Sequence, residues 1–120
     1  MKEEYFSINV RSDRPGGDIK IIDLEGELDI TTLSALRDMF DDLYENKYYQ
    51  LIINFSNVKY IDSTIFGLLV NKLKISRHNF GDIKIFGLNE QLMRIFKVLG
   101  GLKIYKIYEN EKKAVEAFKE

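Results

Sequence analysis

Near the middle of the 120-residue chain stands the sequence Tyr48-Tyr49-Gln50-Leu51-Ile52-Ile53-Asn54-Phe55. Its apolar centre, Leu51-Ile52-Ile53, is short and continuous, which is typical of a strand that is covered on both faces. Apolar residues recur at helical spacing before it, over residues 32–45, and after it, over residues 63–77. Because helices that alternate with buried strands require crossover connections, this pattern predicts an α/β fold with a mostly parallel sheet.

The rest of the chain extends the same alternation. The segment 11–17 contains the only proline and two of the eight glycines, so it predicts the turn of an antiparallel hairpin. Asp29, Thr31 and Thr32 are each able to cap the first helix. The predicted strands cover residues 7–10, 18–24, 48–55, 82–86 and 102–107, and the predicted helices cover residues 32–45, 63–77, 89–99 and 110–118. We therefore expect a single α/β domain with a mixed, mostly parallel sheet of four to five strands and about four helices.

Composition excludes several classes of function. Eighteen Lys and Arg residues against nineteen Asp and Glu residues leave a formal net charge of −1, which offers no basic excess for direct nucleic-acid binding. The chain has no cysteine and one histidine, so thiol nucleophiles and Cys/His zinc sites are excluded. We expect no catalytic residues, no metal and no cofactor.

No apolar run is long enough to cross a membrane, and the acidic N-terminus does not resemble a secretory signal, so we expect a soluble cytoplasmic protein.

The segment with the most chemical content is Asp62-Ser63-Thr64, which stands directly before a broadly apolar helix. Several backbone N–H groups at the start of a helix lack helical partners, and the helix dipole favours negative charge there by about 0.3–1 kcal/mol. A phosphate on Ser63 would find donors in its own helix, while the adjacent Asp62 would repel it. The competing interpretation is that Ser63 is a neutral N-cap, as many serines at helix starts are.

Two further segments accompany this one in a fixed order. Gly26-Glu27-Leu28-Asp29 precedes the first helix, and Leu99-Gly100-Gly101-Leu102 precedes the last predicted strand and helix. Together with the segment from Asp62 to Gly67 and the N-terminal hairpin, this order resembles the STAS domain of bacterial anti-sigma factor antagonists. The resemblance spans nearly the whole chain and implies one STAS domain over residues 1–120.

The resemblance implies a phosphorylation switch. In that family the serine after the aspartate is phosphorylated by an anti-sigma factor serine kinase, and phosphorylation releases that partner. It therefore carries the phosphorylation site to Ser63, with Thr64 as the second choice, and it implies a serine phosphatase as a further partner. The residues that it assigns to partner binding are Asp29, Ile30, Thr31, Asp62, Ser63, Thr64 and Gly67. We expect the protein to be a monomer.

One departure from the family leaves an alternative open. Many members have a small residue where this chain has Ile65, and a bulkier side chain beside the acceptor is expected to alter partner fit. The alternative is a STAS binding or scaffold module in a signalling or transporter assembly that is never phosphorylated.

An enzyme ranks third, because no nucleophile, base and orienting group can be assembled around His78. Asp38, Asp41 and Asp42 are expected to form a solvated helix face. The apolar seam of the helix over residues 89–99 is expected to cover the sheet, and exposed members of that helix such as Met93 are able to join an interface.

Overall fold

The computed structural model describes residues 5–119, and within them the predicted order of elements is confirmed. The strands are β1 (Phe6–Ser12), β2 (Ile19–Leu28), β3 (Gln50–Ile61), β4 (Asp82–Phe86) and β5 (Ile107–Tyr108), and the helices are α1 (Leu33–Glu45), α2 (Ser63–His78), α3 (Glu90–Val98) and α4 (Glu111–Phe118). Short 3-10 turns at Ile30–Thr32 and Gly101–Lys103 precede α1 and follow α3. The fold is a single α/β domain, as the alternation of patterns predicts.

The five strands form one sheet in which sequence order equals spatial order, β1-β2-β3-β4-β5. β1 and β2 pair antiparallel as the predicted hairpin, and the remaining pairs are all parallel. Each parallel pair is joined by a helical crossover, which is the connection that parallel strands require. All four parallel strands therefore have their carboxyl ends at one edge of the sheet.

The central strands explain why the sheet is apolar on both sides. Ile53 of β3 contacts the main core beneath α1, α2 and α3, whereas its neighbour Ile52 contacts a smaller core under α4. Their partners on β2, Ile22 and Ile21, alternate in the same way, and all four side chains are fully buried. Because successive side chains of a strand point to opposite faces, a continuous apolar run needs helices on both sides. The prediction of a doubly covered strand is confirmed.

Several boundaries differ from the predictions, and those of β3 and β5 differ most. β3 continues to Ile61, six residues beyond the predicted end at residue 55, and its second half pairs with β2 through two register shifts. The predicted strand 102–107 is wrong over most of its length, because Gly101–Lys103 is a 3-10 turn and β5 contains only Ile107–Tyr108. Gly101 packs against the rings of Phe66 and Phe96, where a Cβ would lie 2.8 and 2.7 Å from ring carbons.

An ion-pair cluster links the beginning of the sheet to its last helix. The Arg11 guanidinium on β1 contacts Asp23 on β2 at 2.6 Å and also the Glu111 carboxylate at the start of α4. Burial raises the pKa of Asp23, but hydrogen bonds from Arg11 and Asn54 outweigh this effect, and the net pKa lies below its ordinary value. The cluster therefore holds β1, β2 and α4 together most firmly while Asp23 is ionised.

Candidate functional site

The site is built at the carboxyl edge of the sheet, where β2 and β3 end side by side. Leu28 and Ile61 are the last residues of these strands and are paired in register. The Asp62 N–H continues the pairing by donating to the Leu28 carbonyl at 3.2 Å. Asp29 and Asp62 therefore follow two adjacent strand ends, and the structure brings the two acidic segments singled out in the sequence to one edge.

Asp29 organises the first of these segments as a cap. Its carboxylate accepts from the Thr31 N–H at 2.9 Å and from the Thr31 hydroxyl, while its own N–H donates to the Thr32 hydroxyl at 3.1 Å. The hydrogen bonds that the carboxylate accepts, led by that of the Thr31 hydroxyl, hold the pKa of Asp29 below its usual value. Of the three candidate caps, Asp29 caps the 3-10 turn, and Thr32 stands before α1 without a side-chain cap hydrogen bond. The turn presents Ile30 to solvent with 63% of its surface exposed.

The second segment, Asp62-Ser63-Thr64, is capped by its aspartate and not by its serine. Asp62 is the N-cap of α2, and its carboxylate accepts from the Ile65 N–H at 2.9 Å. Ser63 is the first residue of the helix, so the interpretation of Ser63 as the cap is wrong. A carboxylate is as good a cap as a hydroxyl and carries a full charge that the dipole favours. Ser63 is exposed, and within residues 5–119 its hydroxyl makes no hydrogen bond.

The exposed face of α2 continues from Ser63 through a glycine. Ser63, Thr64 and Gly67 are all exposed, and their three- and four-residue spacing puts them on one side of the helix. An ideal Cβ built on Gly67 meets no atom within 4 Å, so packing inside the molecule does not require a glycine here. A glycine in a helix interior costs about 1 kcal/mol relative to alanine. The feature leaves a patch of bare backbone on the surface beside Ser63.

Ile65 does not lie where the departure from the family suggested. Its side chain is fully buried in the main core, on the opposite side of α2 from the exposed face. The expectation that a bulky residue at 65 alters partner fit beside Ser63 is therefore wrong, because a partner cannot touch it. Its bulk fills the core instead.

A groove of about 440 Å³ opens next to Ser63, between the start of α2 and the side of α3. Tyr60 and Ser63 line it from the β3–α2 side, and Arg94, Ile95 and Val98 line it from α3. Val98 is 83% exposed and Tyr60 is 41% exposed, so much of the lining is apolar surface open to water.

The α3 contribution was missed by sequence reasoning, which expected the apolar seam of that helix to cover the sheet and named Met93 as an example of its exposed members. Met93 is half-buried and does not line the groove. The signal that could have found this wall is Val98, an apolar residue that falls outside the buried pair Leu92 and Phe96 on α3.

The other candidates have structural explanations. Asp38, Asp41 and Asp42 are exposed along α1, as predicted, and His78 is exposed in the last turn of α2. Within residues 5–119, no group of three or more His, Cys, Asp or Glu side chains is arranged to hold a metal ion. Over the same residues, no helix has the length and apolar character needed to cross a membrane.

Comparison with known proteins places this geometry in a wider context. A family model described as the STAS domain matches residues 12–114. An anti-sigma-B factor antagonist of Staphylococcus aureus is 32% identical over 75 residues, which are 62% of this chain and 69% of the relative. A solved Thermotoga maritima protein, proposed to be an anti-sigma factor antagonist, is similar with a TM-score of 0.81 at 25% identity, covering 96% of this chain and 95% of its own. The Bacillus cell fate determinant SpoIIAA in its phosphorylated form shares the fold, with a TM-score of 0.71 at 17% identity over 93% of this chain and 99% of its own.

Proposed function

Since this chain belongs to the STAS domain family, we propose that it is an anti-sigma factor antagonist whose binding to a kinase-type anti-sigma factor is switched by phosphorylation of Ser63. The unmodified protein binds the anti-sigma factor and thereby frees a sigma factor. Phosphorylation of Ser63 releases the partner, and a serine phosphatase restores the binding form. Because the switch needs ATP and a sigma factor, it operates in the cytoplasm.

The observation that supports the proposal is that Asp62, and not Ser63, caps α2. Asp62 caps the helix, so the Ser63 hydroxyl has no structural task and stands exposed at the first helical position. Modifying that hydroxyl removes no intramolecular hydrogen bond. The free N–H groups of the first turn and the helix dipole favour the added negative charge. The fold is therefore expected to tolerate phosphorylation, which is what a reversible switch requires.

The chemistry is an ordinary phosphoryl transfer supplied by the partner. The Ser63 oxygen attacks the γ-phosphorus of ATP, the bond to the ADP oxygen breaks, and the serine proton passes to a base of the kinase. The phosphatase returns the hydroxyl by hydrolysis, which releases inorganic phosphate. This chain supplies the acceptor and its presentation. The STAS relatives that it matches are named as antagonists, and a protein of the same fold has been solved in a phosphorylated form.

The partner surface that we propose combines both strand-end segments. Asp29, Ile30 and Thr31 form one side, and Ser63, Thr64 and Gly67 form the other, with Asp62 between them. Ile30 supplies exposed apolar area, and the bare backbone at Gly67 permits a partner element to approach α2 closely. Phosphate adds a charge of roughly −1.5 to −2 beside two carboxylates, which turns a fitted surface into a repulsive one.

The test uses purified protein, ATP and the kinase-type anti-sigma factor from the same genome. We expect one phosphate on Ser63 by mass spectrometry, none in Ser63→Ala, and normal labelling in the matched control Thr64→Ala. Calorimetry should show binding by the unmodified protein that is lost after phosphorylation. Undiminished binding by fully phosphorylated protein refutes the switch. Partner binding without any labelling of Ser63 favours the alternative, a STAS binding or scaffold module.

A further inference from the structure

The groove beside Ser63 is lined by one basic side chain, that of Arg94. Arg94 lies on α3 and lines the groove together with Ser63 on α2, so the two residues belong to different walls of one space. Of the groove-lining residues in the described part of the chain, Arg94 is the one basic side chain and Asp62 is the one acidic side chain. The rest of the lining includes the apolar side chains of Ile95, Val98 and Leu99.

Arg94 has no structural task that would hold it elsewhere. It is exposed, and within residues 5–119 it makes no ion pair within 4.0 Å. Glu90 lies one turn earlier on the same helix but does not pair with it at that distance. Arg77 and Arg11, by contrast, are both engaged in carboxylate contacts. The Arg94 side chain is therefore available to a new anion in the groove.

From this juxtaposition we infer that Arg94 captures the phosphate of phosphorylated Ser63 and that the resulting bridge closes the groove. The inference rests on the proposed phosphorylation of Ser63. A guanidinium presents paired N–H donors that match phosphate oxygens, whereas Asp62 repels the phosphate away from its own side of the groove. Both effects direct the phosphate towards α3.

The bridge has a consequence for partner binding that repulsion alone does not produce. It spans the mouth of a groove whose lining includes Tyr60, Ile95 and Val98, and it covers apolar surface that the unmodified protein leaves open. Phosphorylation then acts in two ways, by adding charge at the helix start and by removing an apolar docking groove next to it. Arg94 is a positioning residue for the phosphate and takes no part in its transfer.

The test uses the full chain with phosphoserine installed at position 63 during translation, so that no kinase is needed. Phosphorus NMR titration gives the second ionisation constant of the phosphate in this protein and in Arg94→Gln, Arg94→Lys and Lys97→Gln. Attraction to a guanidinium in direct contact with the phosphate, at roughly 4 Å in water, makes that ionisation about three- to fivefold more favourable at ordinary salt. We expect Arg94→Gln to lose this enhancement, Arg94→Lys to keep part of it, and the difference to shrink at about 1 M salt.

Lys97→Gln is the matched control, since it removes the same charge from an exposed position of α3 that does not line the groove. Methyl NMR supplies a second measurement. The Val98 signals should move on phosphorylation in the wild-type sequence and stay in place in Arg94→Gln. Equal ionisation constants in the wild type and Arg94→Gln overturn the contact, as does an equal effect of Lys97→Gln. Either result leaves phosphorylation of Ser63 untouched, because that is decided separately by the kinase assay.

Discussion

Replacing Gly67 by alanine should make the isolated protein more stable while weakening its binding to the anti-sigma factor. The position lies inside α2, is exposed, and leaves open space for a Cβ. Alanine is favoured over glycine in a helix interior by about 1 kcal/mol, mainly because it has less backbone entropy to lose. For a chain of 120 residues, the typical unfolding entropy converts this gain into a rise in melting temperature of about 3–4 °C.

Gly100 provides a matched control with the opposite sign. It also has nothing within 4 Å of an ideal Cβ, but its φ is +81°, in the left-handed region. An L-residue there costs roughly 1–2 kcal/mol, so Gly100→Ala should lower the melting temperature by a similar or larger amount. The two substitutions add the same methyl group to equally open space and differ in backbone conformation.

The assay is thermal unfolding followed by circular dichroism, with calorimetry of partner binding on the same samples. We expect Gly67→Ala to melt higher than the wild type and to bind more weakly, because the methyl group enters the space that a docked partner needs. A melting temperature at or below that of the wild type would show that the glycine serves the isolated fold. Unchanged affinity together with raised stability would remove Gly67 from the proposed partner surface.

Three further predictions concern the capping, the ion-pair cluster and one strained turn. Asp62→Ala removes the acceptor for the Ile65 N–H and should lower the free energy of unfolding by about 1 kcal/mol in urea titrations, with Asp62→Asn largely retaining it. Asp23 has a lowered pKa in the folded state. Its ionised carboxylate therefore contributes to the free energy of unfolding at pH values above its ordinary pKa of about 3.9, and this contribution is lost as the pH falls through the lower pKa of the folded state. Asp23→Asn, which weakens the contact with Arg11, should therefore flatten the acid limb of stability measured between pH 6 and pH 2, and an unchanged limb contradicts this. Phe80 is 98% exposed at a φ of +65°, so Phe80→Gly should raise the melting temperature, and a decrease would show that the ring stabilises the fold.

The fold was predictable because its signals are local. The continuous run Leu51-Ile52-Ile53 needs helices on both faces, and the amphipathic segments that supply them have clear starts and ends, such as Asn89 before α3 and Gly100 after it. These features act within a few residues, so one sequence contains them in full. The resemblance to the STAS domain, which depended on the same order of elements, is confirmed.

The errors arose where distant contacts decide the outcome. Asp62, Ser63 and Thr64 are all suitable caps, and the choice of Asp62 follows from the Asp62 N–H bonding to Leu28 on a neighbouring strand. The segment 102–107 has the apolar content of a strand, but the Tyr105 hydroxyl donates to the Leu69 carbonyl at 2.6 Å and Gly101 packs against two rings. These tertiary contacts hold it as a turn, and local propensity does not reveal them.

The groove next to Ser63 was beyond sequence reasoning for the same reason. Arg94 and Val98 lie about thirty residues from Ser63 in the chain, and only the packing of α3 beside the start of α2 brings them to one space. The residues of the strand-end segments were accessible to sequence reasoning because each lies next to a recognisable helix start. The α3 side of the groove has no comparable signal in the sequence around Ser63.

The contact between Arg11 and Glu111 has a consequence for the order in which the protein folds. Its partners are separated by 100 residues, and Glu111 begins the helix that covers Ile21 and Ile52. A folding intermediate in which α4 has not yet docked can contain the sheet and the three earlier helices, but one side of its sheet then leaves Ile21 and Ile52 exposed to water. Docking of α4 buries those isoleucines and brings Glu111 to Arg11 in the same step, so this intermediate is the species that a chaperone recognising apolar surface should bind.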